Sequence, residues 1–320
     1  MDVLADVLSA TKIGGTVTAR VRAAGPWGIE FPHLPSAVFH HVTQGSCWLR
    51  RPGAEPLPLT AGDLVLLPAG TGHVMAGDPT APAVRFEDVT RAPRSGPGEP
   101  GVPGGPGGPG TPIDFPGTGP QTRVVCGGYR FDTHASHPLL ALPPVLLLPA
   151  DPSARRHDLT ETLRMLTAEL ADPAPGSQTI TDRLVDVLFV HILRQWAALP
   201  GSPDHGAAWW AALRDPEVAA AISLIHEEPG RTWTVESLAR EVGVSRATLS
   251  RRFTRLVGEP PLAYLTRWRL EIAARRLRET SESVTCIANT VGYTSEFAFS
   301  RAFTRHRGTP PTRYRATHAR

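Results

Sequence analysis

The segment SRATLSRRFTRLVGEPPLAY, starting at Ser245, returns fifty residues later as SEFAFSRAFTRHRGTPPTRY, starting at Ser295. Ten of the twenty positions are identical, among them Ser245/Ser295, Arg251/Arg301, Phe253/Phe303, Gly258/Gly308 and Tyr264/Tyr314. A short helical pattern ending in Val-Gly precedes each copy: Val235–Val242 before Gly243, and Val284–Val291 before Gly292. A duplication of this kind requires the last third of the chain to fold as two similar modules.

Each module reads as helix, tight turn, helix, the pattern of a helix-turn-helix whose second helix enters the major groove. In the first copy Leu238, Ala239 and Val242 form an apolar face, and Gly243 can take the positive φ of the turn. Ser245 is a good N-cap. Leu249 and Phe253, four apart, face the core. That leaves Arg246, Ala247, Ser250, Arg251 and Thr254 outward. In the second copy Phe299 and Phe303 are the core pair, and Glu296, Phe297, Ser300 and Arg301 face out. Between the copies, Pro261–Glu279 reads as one continuous helix carrying Leu265, Trp268, Leu270, Ile272, Ala273 and Leu277. Its expected length of ~27 Å suits two recognition helices entering successive major grooves, ~34 Å apart.

Over roughly residues 225–315, including the GxPPxxY ending of each unit, the chain resembles the AraC family of bacterial transcription regulators. The resemblance implies base reading by Arg246, Ala247, Ser250 and Arg251 in the first unit, and by Glu296, Phe297, Ser300 and Arg301 in the second. Arg251 and Arg301 are the principal candidates. Ala247, Glu296 and Phe297 cannot make the usual arginine–guanine contact. Ala or Phe suits a thymine methyl, and Glu suits cytosine N4. For Phe297 packing inside the protein is an equal alternative. Arg252, Arg255 and Arg305 are expected to contact phosphates or simply to be solvated.

Charge follows the same division. Residues 221–320 hold 17 Arg, no Lys, 9 Glu and no Asp, a balance of +8. The rest carries 16 basic and 21 acidic groups, −5, so the overall +3 hides a basic tail on an acidic body. That asymmetry fits a nucleic-acid reader with a second domain attached.

The first half is different. Short apolar runs at Ala37–Val42, Cys47–Leu49, Leu64–Leu67 and Val84–Phe86 are set off by Gly and Pro and read as strands. Residues 93–121, with 9 Pro and 10 Gly, read as a flexible insertion. Strands are expected to resume at Arg123–Phe131. The run GDLVLLPAGTGH fits the second motif of cupin β-barrels through Gly62, Pro68, Gly70 and His73, with Gly77 in place of the closing Asn. Counting back from Gly45 through the first motif places Phe31, His33 and Val38 at its ligand positions. Of the four metal-binding positions His33 and His73 survive, and the carboxylate that a 2-His-1-carboxylate iron site needs is gone. A three-histidine site using His33, His73 and either His40 or His41 is geometrically conceivable, but neighbours on a strand point to opposite faces. The expectation is that these histidines make pocket hydrogen bonds, with no metal and no cofactor. A metal-dependent cupin enzyme fused to a DNA-binding tail is the competing reading.

The segments FHHVTQGSCWL, CGGYRFD and HPLLALPPVL resemble the cupin sensor domain of one AraC subgroup, which implies a small-molecule or redox effector. His33, His40, His41, Cys47, His73 and Cys126 are the effector-pocket candidates. Cys47 and Cys126 are expected to be small buried hydrophobes. The alternative is oxidation, favoured if Arg50, Arg51 and Arg130 stabilise a thiolate. Cys286 is expected to be packed. Three cysteines without CxxC spacing do not suggest a disulfide framework or a Cys-based zinc site.

Past Pro149, Leu159, Leu163, Leu166 and Leu170, then Leu184, Leu188, His191 and Ile192, fall at helical spacing. Pro173–Gly176 breaks them into a hairpin that packs on the barrel or on a second subunit. Asp215-Pro216 starts another helix. No apolar run reaches the ~18 residues of a membrane span, and the N-terminus is not a secretory signal. The sequence thus predicts an α+β chain: a cupin-like sensor barrel (1–150), a helical hairpin for possible dimerisation (151–210), and an all-α double helix-turn-helix domain (211–320). The expected protein is cytoplasmic, not an enzyme, and not membrane-bound. Its expected partners are double-stranded DNA, an effector, a second copy and RNA polymerase.

Overall fold

The computed structural model describes residues 3–91, 110–131, 142–150, 157–199 and 211–318. They divide into two compact units. One holds residues 13–91, 110–131, 142–150 and 157–199; the other holds 3–12 and 211–318.

The first unit is built on two sheets. One has the strand order β11-β6-β3-β10-β1-β9: Leu146–Leu148, Leu64–Leu67, Ser36–Gln44, Gln121–Phe131, Lys12–Ala24 and Thr111–Phe115. The other has the order β5-β4-β7-β2-β8: Leu57–Thr60, Ser46–Arg50, His73–Ala76, Gly28–Phe31 and Val84–Arg85. Alternate residues of both sheets meet in one core, including Val21, Ile29, Phe31, Leu49, Leu67, Met75 and Cys126. The period of two along each strand puts these side chains on a single face. Gly70 sits in a turn at φ 58°, where a Cβ would lie 2.2 Å from the carbonyl oxygens of Leu34 and Ser36. Only glycine fits there. The Asp63 carboxylate accepts from Thr60 N at 2.7 Å and from Ala150 N at 2.7 Å, tying the turn before β6 to the end of β11.

Two expectations need correction. Phe86 does not extend its strand; it opens helix α2 (Phe86–Arg91), where Glu87 and Asp88 suit the positive end of the helix dipole. Residues 111–115, expected within the flexible insertion, form β9 and pair in parallel with β1 from Ala19↔Thr111 to Ala23↔Phe115. Ladder hydrogen bonds outweigh the local Pro and Gly content there. Of that insertion 93–109 lie outside the described residues, as do 92, 132–141, 151–156 and 200–210. The helical pair is α3 (His157–Ala171) and α4 (Ser177–Ala198). Leu159, Leu163, Leu166 and Leu170 are buried as the spacing predicts. On α4 the buried stripe is Val185, Leu188, Phe189, Ile192, Leu193 and Trp196, with Leu184 and His191 at its half-buried edge. The pair packs on the barrel: the Phe189 ring lies 4.1 Å from that of Tyr129.

The second unit is all helical: α1 (Val3–Thr11), α5 (Pro216–Glu227), α6 (Val235–Glu241), α7 (Arg246–Val257), α8 (Pro261–Glu279), α9 (Val284–Thr290), α10 (Glu296–Arg307) and α11 (Pro311–His318). Asp215 caps α5, with Pro216 at its first position. Helix α1 packs against α5 and α8 and buries Val3, Leu4, Val7 and Leu8. The N-terminal residues thus belong to the same compact unit as the repeat. Beneath α1 the ring of His226 stacks 3.9 Å from that of Trp268; its Nε2 pairs with Tyr264 OH at 2.7 Å and its Nδ1 with Asp6 Oδ2 at 3.4 Å.

Candidate nucleic-acid interface and barrel interior

The two repeat copies have the same local chemistry. Gly243 and Gly292 take φ 74° and 85° in the two turns. Ser245 accepts from Thr248 N at 3.2 Å, and Ser295 from Ala298 N at 3.3 Å, capping α7 and α10. Leu249 and Phe253, then Phe299 and Phe303, are buried. The GxPPxxY ending has a packing role: Tyr264 meets Phe253 edge-on at 5.6 Å, and Tyr314 meets Phe303 edge-on at 5.4 Å. Each recognition helix is therefore clamped by the helix that follows it.

On the outward face of α7, Arg246, Ala247, Arg251 and Arg255 are exposed and Ser250 is half-buried. On α10, Glu296, Phe297, Arg301 and Arg305 are exposed and Ser300 is half-buried. Arg252 departs from expectation. Its Nη2 lies 2.6 Å from Asp215 and 3.1 Å from Glu217, so an internal ion pair competes with any phosphate for this partly exposed guanidinium. The reason is that Asp215, which caps α5, lies within its reach. Phe297 is not packed inside: it is 69% exposed, and the Arg301 guanidinium lies 4.6 Å from its ring centroid. The Glu296 carboxylate accepts from the Thr285 hydroxyl of α9.

Ion pairing sorts the arginines in a way that sequence did not. Arg231, Arg252, Arg267, Arg275, Arg276 and Arg307 pair with carboxylates of their own unit. Among the described residues, Arg246, Arg251, Arg255, Arg301 and Arg305 have no such partner. These five lie on the two recognition helices; Arg240 of α6 and Arg313 of α11 are also without one, and Arg269 and Arg315 bond to backbone carbonyls instead. Cys286, expected to be packed, is exposed on α9.

Inside the barrel, His40, His73 and Cys126 come together. Cys126 stands opposite His40 in the β10–β3 register. The His73 Nδ1 proton goes to the Thr71 carbonyl at 2.7 Å, which leaves His73 Nε2 as an acceptor. His40 Nε2 donates to it at 2.7 Å, so His40 Nδ1 accepts the Cys126 thiol proton at 3.0 Å. The tautomers follow because a neutral imidazole has one donor and one acceptor. Burial, then His73, holds His40 well below the ordinary histidine range, and burial brings His73 down to about 4. Phe31 stacks on His73 at 5.0 Å and tilts against His40 at 4.9 Å, closing the chain off. Burial, then Asp63, pushes the Cys47 thiol up to about 12, and burial, then Cys47, raises that of Cys126. Arg50, one of the arginines expected to favour a thiolate, donates instead to the carbonyls of Pro79 and Ala81.

Residues that fit a cupin metal are lacking. Phe31 and Val38 are apolar and buried, and His33 is exposed. Cys126 and His73 approach opposite nitrogens of His40, so one ion cannot be held by all three. Among the described residues no group of three His, Cys, Asp or Glu is placed to hold a metal. His41 points the other way, with its Nδ1 3.1 Å from the Asp63 carbonyl. It lines a groove of about 860 Å³ between the outer face of the sheet and α3, together with Thr43, Leu163, Arg164 and Thr167. The groove, unlike the filled interior, was not legible in the sequence, because it depends on where α3 lands.

Comparison with known proteins agrees with this division. Residues 2–198 match a family described as Cupin, and residues 238–317 match one described as Helix-turn-helix domain. The chain is 37% identical to an AraC-like transcription regulator of Streptomyces lividans, covering 98% of each chain. It is 36% identical to an AraC-like regulator of Streptomyces antibioticus, again covering 98% of each. It is 29% identical to the RCS-specific HTH-type transcriptional activator RclR of Escherichia coli, covering 98% of this chain and 97% of that one. The chain belongs to the AraC-like transcription regulators, in which a cupin domain is joined to a DNA-binding helix-turn-helix domain.

Proposed function

We propose that this regulator reads its operator through Arg246, Ala247, Ser250 and Arg251 of α7 and through Glu296, Phe297, Ser300 and Arg301 of α10. Arg255 and Arg305 bind phosphates, and Arg252 braces α7. The observation carrying this reading is that five arginines without carboxylate partners line the outward faces of two like-capped helices. Stacking one copy's chemistry on the other's doubles the base contacts along one DNA face. Operator binding by Arg251→Ala and Arg301→Ala tests it; unchanged sequence preference in both would refute the assignment.

The barrel acts as a sensor and not as a catalyst. The motif histidine His73 is bonded to His40, and His40 to the Cys126 thiol, while the other motif histidine, His33, is exposed. A small-molecule effector enters the groove beside His41 and α3, whose volume is in the range of small-molecule pockets. It acts by binding one arrangement of the two domains better than the other, which shifts their populations. Filling the groove with Ala168→Trp abolishes the effector response while leaving effector-free DNA binding intact.

A second reading is favoured by one contact, the Cys126 thiol 3.0 Å from the His40 nitrogen that accepts its hydrogen bond. An oxidant effector would act there. Loss of the oxidant response in Cys126→Ser, with the response to small molecules absent in the wild type, would select it. Ile180 and Val187, exposed on α4, suit coverage by a second copy. The protein acts in the cytoplasm, where it meets DNA and RNA polymerase. Among the described residues no helix is long and apolar enough to cross a membrane.

A further inference from the structure

Phe297 is the most exposed of the large apolar side chains among the described residues, at 69%. It stands on the second recognition helix with Arg301 four residues on, and the Arg301 guanidinium covers its ring at 4.6 Å. Residues four apart share one helix face. An arginine plane stacked on an aromatic ring loses freedom before it meets a ligand, and its N–H edge stays open. No carboxylate of the described residues competes for Arg301, and the nearby Glu296 is engaged by Thr285. The first unit lacks this device: fifty residues earlier the pair is Ala247 and Arg251.

We propose that Phe297 and Arg301 read a thymine–guanine step as one composite element, so that the two units have different specificities. Resting on the DNA-reading role proposed above, this assigns Arg301 the bidentate contact to guanine O6 and N7. The Phe297 ring edge covers the C5 methyl of the adjacent thymine, the apolar group that the major groove offers at that depth. A helix lying along the groove sets residues one turn apart over neighbouring base pairs. The ring therefore has a use in the groove that offsets leaving it in water. In the first unit Ala247 supplies one methyl group and no stacking surface, so Arg251 reads guanine with little demand on the neighbouring base.

The experiment is selection of bound sequences from random duplex DNA with the full chain, wild type against Phe297→Ala and Arg301→Ala. Positions that lose information in either variant belong to the second unit. They are expected to form one T-G step, with guanine preference falling roughly ten- to hundredfold in Arg301→Ala. Replacing the thymine of that step by uracil, which removes only the methyl, is expected to weaken wild-type binding roughly three- to fivefold. It is expected to leave Phe297→Ala unaffected. Both variants alter exposed helix positions, and their unfolding curves check the fold. Equal wild-type binding to the thymine and uracil duplexes, or an altered step other than T-G, overturns the proposal. If wild-type selection returns no sequence at all, the DNA-reading assignment fails instead.

Discussion

Glu271, in the middle of the long helix α8, is buried against Arg307, the last residue of the second recognition helix; side-chain exposure is 1% and 0%. His306 adds a contact at 3.3 Å to the other Glu271 oxygen. The first unit has Val257 where the second has Arg307, so this brace belongs to one copy alone. It fixes the angle at which α10 leaves the body of the domain.

Removing one partner of a buried pair leaves the other charge uncompensated, at a cost of about 3–5 kcal/mol. Glu271→Ala is therefore expected to lower the urea midpoint of the helical unit strongly. Replacing both residues, Glu271→Met with Arg307→Leu, is expected to recover most of the stability. A double variant no more stable than the single one would contradict this account.

Arg252 and Arg251 are neighbours with different expected roles. Arg251→Ala is expected to cost specific operator binding about 1–3 kcal/mol, with little change in stability. Arg252→Ala is expected to destabilise only slightly, because its pair with Asp215 is partly exposed, and to leave base preference intact. Binding titrations on specific and scrambled duplexes, beside urea curves, separate the two.

Helix α1 supplies Val3, Leu4, Val7 and Leu8 to the core of the DNA-binding unit. Leu8→Ala is expected to cost roughly 2–5 kcal/mol. The measurable sign is faster amide hydrogen exchange in α5 and α8. Exchange unchanged there would show that α1 contributes nothing to the unit.

Acid should weaken both units. Burial lowers His73 to about 4, and burial, then Arg267, lowers His226 to about 3. A histidine with a depressed folded value binds its proton more readily when unfolded. Its contribution is complete above about 6.5 and is lost as pH falls from there towards the folded value. Unfolding free energy is expected to decline by a few kcal/mol between pH 7 and 4. Denaturant curves at half-unit steps, with His73→Gln and His226→Gln each reducing the slope, check the sign and the assignment.

Thiol accessibility checks the barrel. In the native protein an aromatic disulfide reagent is expected to label Cys286 quickly. Cys47 and Cys126, both buried, should be labelled only on unfolding. Rapid native labelling of Cys126 would favour the oxidant reading over the groove.

Much of this was legible in the linear chain. The repeat gave both helix-turn-helix units, with N-caps at Ser245 and Ser295, because caps, turns and the 3.6-residue period are local properties. Leu64–Leu67 and the run ending at His73 marked strands of the barrel for the same reason. The fate of Phe297 was not legible, since an exposed and a buried phenylalanine have the same spacing. Arg252 looked like Arg251 because its partner, Asp215, lies 37 residues away.

The sequence by itself determined the modules: a strand-rich first half, a duplicated helix-turn-helix, and a basic tail on an acidic body. These follow from periodicity and composition, which each segment carries alone. Tertiary structure decided which polar groups are already satisfied. It bonded His40 to His73 and Cys126, withdrew Arg252 and Arg307 into ion pairs, and left Arg251 and Arg301 without carboxylate partners. A charge's availability depends on whatever comes within a few ångströms of it, and that is set by residues far away in the chain.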